Sequence, residues 1–136
     1  MISLDALKSL EKLSELGKKE KIISIGDIKI TISTLDTGDE TDVFVSCSEL
    51  SGNAYFNTLK LATLKYAIRA VNGERLDSYL EETDLRKKEQ ARADVLQKVS
   101  DIVKKWDEKV VSFLYTEWAN LAKESEDEIE EKQLLK

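Results

Sequence analysis

The stretch from Ala54 to Gly73, AYFNTLKLATLKYAIRAVNG, constrains the fold more than any other part of the chain. Leu61, Leu64, Ile68 and Val71 fall at helical spacing and form one apolar stripe. Tyr55, Leu59, Ala62 and Tyr66 form a second stripe beside it, leaving polar side chains mainly at Asn57, Lys60, Lys65 and Arg69. An apolar arc of this width needs partners on two sides, so the spacing predicts a central helix with other elements packed around it. Gly73 marks its expected end, because the residue past a helix terminus commonly adopts the left-handed conformation that glycine tolerates.

Upstream, the period changes twice. Leu4, Leu7, Leu10, Leu13 and Leu16 recur every third residue, and Gly17 follows where a helix cap belongs. A spacing of three drifts around a helix, so this stripe wraps over whatever it meets. Two partners fit: the helix's own domain, or another subunit. After the basic connector KKEK, Ile28, Ile30 and Ile32 alternate with polar residues, which is the pattern of a strand with one buried face. Ile22, Ile23 and Ile25 form a shorter run before it, and Gly26-Asp27 between them fits a two-residue hairpin turn. A lone hairpin is marginal in water. It must therefore pack on the helices or recruit strands from a neighbouring subunit.

Thr37 to Leu50 returns to helical character. Thr37 and Glu40 have the spacing of a capping box. Val43, Phe44 and Cys47 are expected to face inward, and Asp39, Glu40 and Asp42 to favour the positive end of the helix dipole. Glu74 to Thr83 reads as a polar connection. Asp84 caps a helix from about Leu85 to Lys105, whose first half, RKKEQARAD, is polar and whose apolar face starts at Val95. Trp106-Asp107 then reads as the corner of a helical hairpin, with a last helix from Glu108 to Lys123. From Glu124 the chain is acidic and is expected to fray, with Leu134-Leu135 as a weak docking point.

The reading is therefore a mainly α (α+β) chain with a small N-terminal β-hairpin, a single-domain bundle ending in a helical hairpin. Residues 1–20 form an amphipathic helix and connector, 21–124 the α-rich domain, and 125–136 an acidic tail. The 136 residues suffice for one core. A net charge of −6 disfavours phosphate backbones, so no nucleic-acid partner is expected. A single cysteine, Cys47, excludes an internal disulfide and fits a reducing compartment. The chain has no His, the side chain most used for acid–base work and metal ligation near neutral pH. No segment has the length of a membrane span, and the start MISLDALKSL lacks the pattern of a signal peptide, so the expected address is the cytosol.

No catalytic, cofactor-binding or metal-binding constellation emerges. The glycines are scattered, Cys47 has no base to activate it, and the carboxylates sit in capping, polar or tail positions. The residues expected to contact a partner are Leu4, Leu7, Leu10 and Leu13 on the first helix and Trp118 and Leu121 on the last.

Three segments occur in a familiar order. The hairpin IISIGDIKITI leads into the helix TGDETDVFVSCSEL. The segment SGNAYFNTLKLATLKYAIRAVNGERL follows, and then the helical pair LQKVSDIVKKWDEKVVSFLYTEWANLAKE with its Trp-Asp corner. This order, over about Ile22 to Glu124, resembles the tail-assembly-chaperone and baseplate-hub assembly proteins of tailed bacteriophages, especially those with contractile tails. The leucine-rich first helix and the acidic tail lie outside the resemblance. It implies a non-enzymatic helical adaptor in the cytoplasm of the infected host cell. Such an adaptor binds phage tail, tape-measure or baseplate-hub proteins, needs no cofactor, and is a possible homo-oligomer. Two alternatives stand beside it: a structural subunit retained in the virion tail or baseplate, and a small acidic inhibitor of a host defence protein.

Overall fold

The computed structural model describes residues 2–131. Helix predominates, and the strands form one small antiparallel sheet, in agreement with the expected fold class. The elements are α1 (Leu4–Lys12) with a 3₁₀ turn (Leu13–Glu15), β1 (Glu20–Ile25), β2 (Ile28–Ser33), α2 (Thr37–Cys47) and α3 (Gly52–Ala67). They continue with β3 (Ile68–Val71), β4 (Glu74–Arg75), a 3₁₀ turn (Ser78–Glu81), α4 (Leu85–Val103) and α5 (Glu108–Ile129).

The β1–β2 hairpin forms as its pattern predicts, with Ile25 opposite Ile28 across the Gly26-Asp27 turn. Two strands of the same chain extend it, in the order β1-β2-β3-β4. Here the central-helix expectation is corrected. The helix ends at Ala67, and Ile68 to Val71 is a strand paired with Ile30 to Ile32 through a register shift beside Thr31. Asn72 and Gly73, at φ of 51° and 83°, are the turn of a second hairpin that pairs Val71 with Glu74. Positive φ at both central residues is the requirement of the tight hairpin turn that Asn-Gly favours. Gly73 therefore closes a hairpin and does not cap a helix. Sheet pairing gives the backbone of Ile68 to Val71 partners that a longer helix would have supplied internally, and the β-branched Ile68 and Val71 suit a pleated surface.

The caps at Asp84 and Asp107 stand as expected, their carboxylates accepting from Lys87 N at 3.1 Å and Lys109 N at 2.8 Å. The Thr37–Glu40 capping box is corrected. Asp36 is the N-cap of α2, accepting from Asp39 N at 2.8 Å. Val43 and Cys47 are buried, but Phe44 is 59% exposed and does not face inward. The fraying expected from Glu124 is also corrected. α5 runs to Ile129, Ser125 is buried and donates to the Gly17 carbonyl, and Lys19 pairs with Glu128 at 2.9 Å. Leu134-Leu135 lies outside the described residues.

α3 packs against α2, α4 and α5, so it holds the central position its width of apolar surface requires. The core joins Ile23, Ile30, Ile32 and Ile68 of the sheet to Leu64 of α3, Val103 of α4, and Val111, Leu114 and Leu121 of α5. α1 buries none of its residues.

Candidate functional site

Two concave sites and one uncovered helix are candidates. The first concavity, about 380 Å³, lies among α2, the α3–β3 junction, the second 3₁₀ turn and α4. Its charged groups are already engaged. Asp39 is buried and accepts from Arg92 Nη2 at 2.8 Å and from Arg69 Nη2 at 3.3 Å. Arg69 also reaches Asp77 at 3.8 Å. Arg75 donates to both Asp77 oxygens, at 2.9 and 2.7 Å, and to both Glu20 oxygens, at 3.0 and 2.8 Å. The chain of ion pairs thus ties α4 to α2, β3, β4 and β1. Asp39 is consequently more than a helix-dipole residue, which revises the reading of the acidic first turn.

Burial pushes the Asp39 carboxyl above its ordinary value, the Asp36 charge adds to this, and Arg69 and Arg92 pull it only partly back. The Arg75 hydrogen bonds hold both Asp77 and Glu20 below theirs. Tyr66 donates to Asp42 at 3.4 Å and lies under the Arg92 guanidinium, 5.5 Å from ring centroid to Cζ. These contacts brace one end of the bundle. Among the described residues, no group of three His, Cys, Asp or Glu side chains has the arrangement to hold a metal ion.

The second concavity, about 470 Å³, is an apolar groove between the sheet and the α4–α5 corner. Ile25, Ile28 and Ile30 form one wall and Val99, Ile102 and Trp106 the other, with Ile68, Val71 and Leu76 nearby. Period-two alternation puts Ile28 and Ile30 on one sheet face. The α4 stripe of Val99, Ile102 and Val103, continued by Trp106 at the corner, brings the second wall over it. Ile28 and Ile102 are 45% and 56% exposed, so the groove opens to solvent at both walls.

The residues expected at a partner surface divide. Leu4, Leu7, Leu10 and Leu13 are exposed at 74%, 42%, 65% and 62% on α1 and its 3₁₀ turn. Trp118 is half-buried against the core and 5.7 Å from the Tyr115 ring. Leu121 is in the core at 3% exposure and offers no surface in this fold. The structure does not bring the α1 leucines together with Trp118 and Leu121 in one patch. Of the groove residues, Trp106 reads from the sequence as a core residue that could also anchor an interface on the last hairpin, while Ile25, Ile28 and Ile102 read only as parts of apolar stripes. Their signal was the continuation of the Ile alternation to Ile28, at the turn, and of the α4 stripe to Trp106, at the corner.

No protein-family model, no curated protein and no solved structure matches this chain. None of its helices, among the described residues, is long and apolar enough to cross a membrane.

Proposed function

We propose that this chain is a non-enzymatic assembly adaptor of a tailed bacteriophage, acting in the cytoplasm of the infected cell. It binds an amphipathic helix of a tape-measure, tail or baseplate-hub protein. The observation that carries this reading is the apolar groove of Ile25, Ile28, Ile102 and Trp106, which is open to solvent beside a well-packed core. An amphipathic helix lays its apolar face into a groove of this kind. The order of hairpin, capped helix and Trp-Asp corner supplies the phage context through its resemblance to tail-assembly proteins. The net charge of −6 helps keep such a complex soluble.

The test is affinity capture with the tagged chain from phage-infected cells, beside mass spectrometry of purified virions. Capture of a tape-measure or hub protein by the wild-type chain, lost in Ile102→Glu, is the expected result. Absence of every tail component from the eluate overturns the reading. Stoichiometric copies of the chain in virions convert it to a structural subunit of the tail or baseplate.

A further inference from the structure

We propose that the apolar groove of one copy takes the α1 helix of a second copy, so that two chains exchange arms reciprocally. The inference rests on the reading of the groove as a helix seat and adds its occupant when no other partner is bound.

Two uncovered apolar surfaces of the same chain are complementary in kind. α1 is capped at Ser3, whose Oγ accepts from Ala6 N at 3.1 Å, and it presents its leucines to solvent. The groove presents Ile28, Ile102 and Trp106 without a helix against them. An amphipathic stripe in water needs such a cover.

Geometry favours a second copy over the chain's own arm. The root of α1 is fixed at the far end of α5, where the Gly17 carbonyl accepts from Ser125 and Lys19 pairs with Glu128 at 2.9 Å. The groove touches α5 at Val110, near its start. At roughly 1.5 Å per residue, Ser125 stands about 22 Å along the helix from Val110. By the same measure the middle of the leucine stripe, Leu7 to Leu10, lies only about 10–15 Å from Gly17. The arm is too short to centre its stripe on its own groove.

Charge points the same way. Lys98 stands one turn before Ile102 on α4, Lys105 lies in the turn that follows the helix, and Lys109 follows Trp106 by three. All three are exposed and none is in an ion pair among the described residues. Asp101, beside them, is engaged by Gln97 at 2.9 Å. On α1 and its turn, Glu11 and Glu15 follow Leu7 by one and two helical turns and border the leucine stripe. Lys8 follows Leu4 by one turn on the same border, where Glu11 and Glu15 outnumber it, so a mainly acidic border on the arm meets a basic border on the groove. Because arm and groove are different surfaces, a reciprocal pair is the smallest closed assembly that leaves neither unfilled, and it is a two-fold dimer.

The test is sedimentation equilibrium of the full chain and of three full-length samples: the arm variant Leu7→Glu/Leu10→Glu, the groove variant Ile102→Glu, and their equimolar mixture. All three positions are exposed, so far-ultraviolet circular dichroism is expected to stay unchanged. The wild-type chain is expected to dimerise, and each variant to dimerise at least about tenfold more weakly. The mixture recovers heterodimer, since it holds one sound arm and one sound groove. Loss of dimer in the arm variant alone means that α1 pairs with itself and overturns the proposal, as does loss in the groove variant alone. A monomeric wild-type chain that still captures a tail component overturns the exchange and leaves the adaptor reading standing. A dimer that behaves as expected but captures no tail component does the reverse.

Discussion

Asp39 Oδ2 lies 3.3 Å from Arg69 Nη2, and the same carboxylate reaches Arg92 at 2.8 Å, so one buried acid joins the start of α2 to β3 and α4. Removing one member of a buried ion pair costs about 3–5 kcal/mol, because the remaining charges stay desolvated without a partner. Arg92 is 37% exposed and partly recovers solvent, so Asp39→Ala is expected near the lower end, about 3 kcal/mol. Urea denaturation followed by tryptophan fluorescence measures it. A loss below about 0.5 kcal/mol, the range of ordinary surface changes, sinks the bracing role.

Acid stability separates Asp77 from Asp39. Arg75 holds Asp77 below its unfolded value, so the contribution of Asp77 is present above that value and is lost as pH falls through the lower folded one. Glu20 behaves alike, discounted because its side chain is 40% exposed. Asp39 has the opposite sign: its folded value is raised, so the folded state takes up that proton more readily and gains as pH falls through it. Asp77→Asn is therefore expected to lower stability at pH 7 and to flatten its decline toward acid, while Asp39→Asn steepens the decline. Unfolding free energies at neutral and acid pH decide this. Equal slopes in both variants and the parent count against it.

The boundaries between helix and strand show how much the sequence disclosed. Ile28, Ile30 and Ile32 alternate strictly and gave their strand correctly. The cap residues Asp84 and Asp107 gave the starts of α4 and α5. Ile68 and Val71, by contrast, are three residues apart and satisfy a helical stripe as well as a strand. Only pairing with Ile30 to Ile32, far away in sequence, selects the strand. The Asn72-Gly73 pair did carry the local hairpin signal, but the same Gly fits a helix end. The groove was hidden for a related reason. Its walls come from β1–β2 and α4–α5, and their meeting is a property of tertiary packing that no single stretch displays.

Gly73→Ala tests the second hairpin directly. At a φ of 83° an alanine is strained, and left-handed conformation costs a residue with a Cβ roughly 1–2 kcal/mol. A Cβ there meets nothing within 4 Å, so the cost is backbone strain and not a clash. Thermal unfolding is expected to show this loss, while a neutral result counts against the turn.

Gly17→Ala combines both effects. Its φ is 77°, and an added methyl falls within 2.8 Å of Ser125 Oγ and 2.9 Å of Ile129 Cγ1. Strain of this kind costs on the order of 1–3 kcal/mol. Amide exchange is expected to quicken over the last turns of α5, from Ser125 to Ile129, with little change around Leu114. Uniform acceleration across the core would falsify a local anchoring role.

Trp118 and Leu121 stand one turn apart on α5 but differ in what they hold. Leu121 is 3% exposed within the core, so Leu121→Ala is expected to cost about 2–5 kcal/mol from lost burial and the cavity left behind. Trp118 is half-buried, and its Nε1 is the buried side-chain nitrogen without a hydrogen-bond partner among the described residues. Phe keeps most of the ring packing and removes that donor, whose desolvation alone costs about 1–3 kcal/mol. The gain offsets the lost ring area, so Trp118→Phe is expected to fall within about 1 kcal/mol of the parent. Guanidinium unfolding monitored by circular dichroism compares the two variants. A Trp118→Phe loss as large as that of Leu121→Ala would overturn this and show that the packing of the Trp118 ring outweighs the unpaired donor.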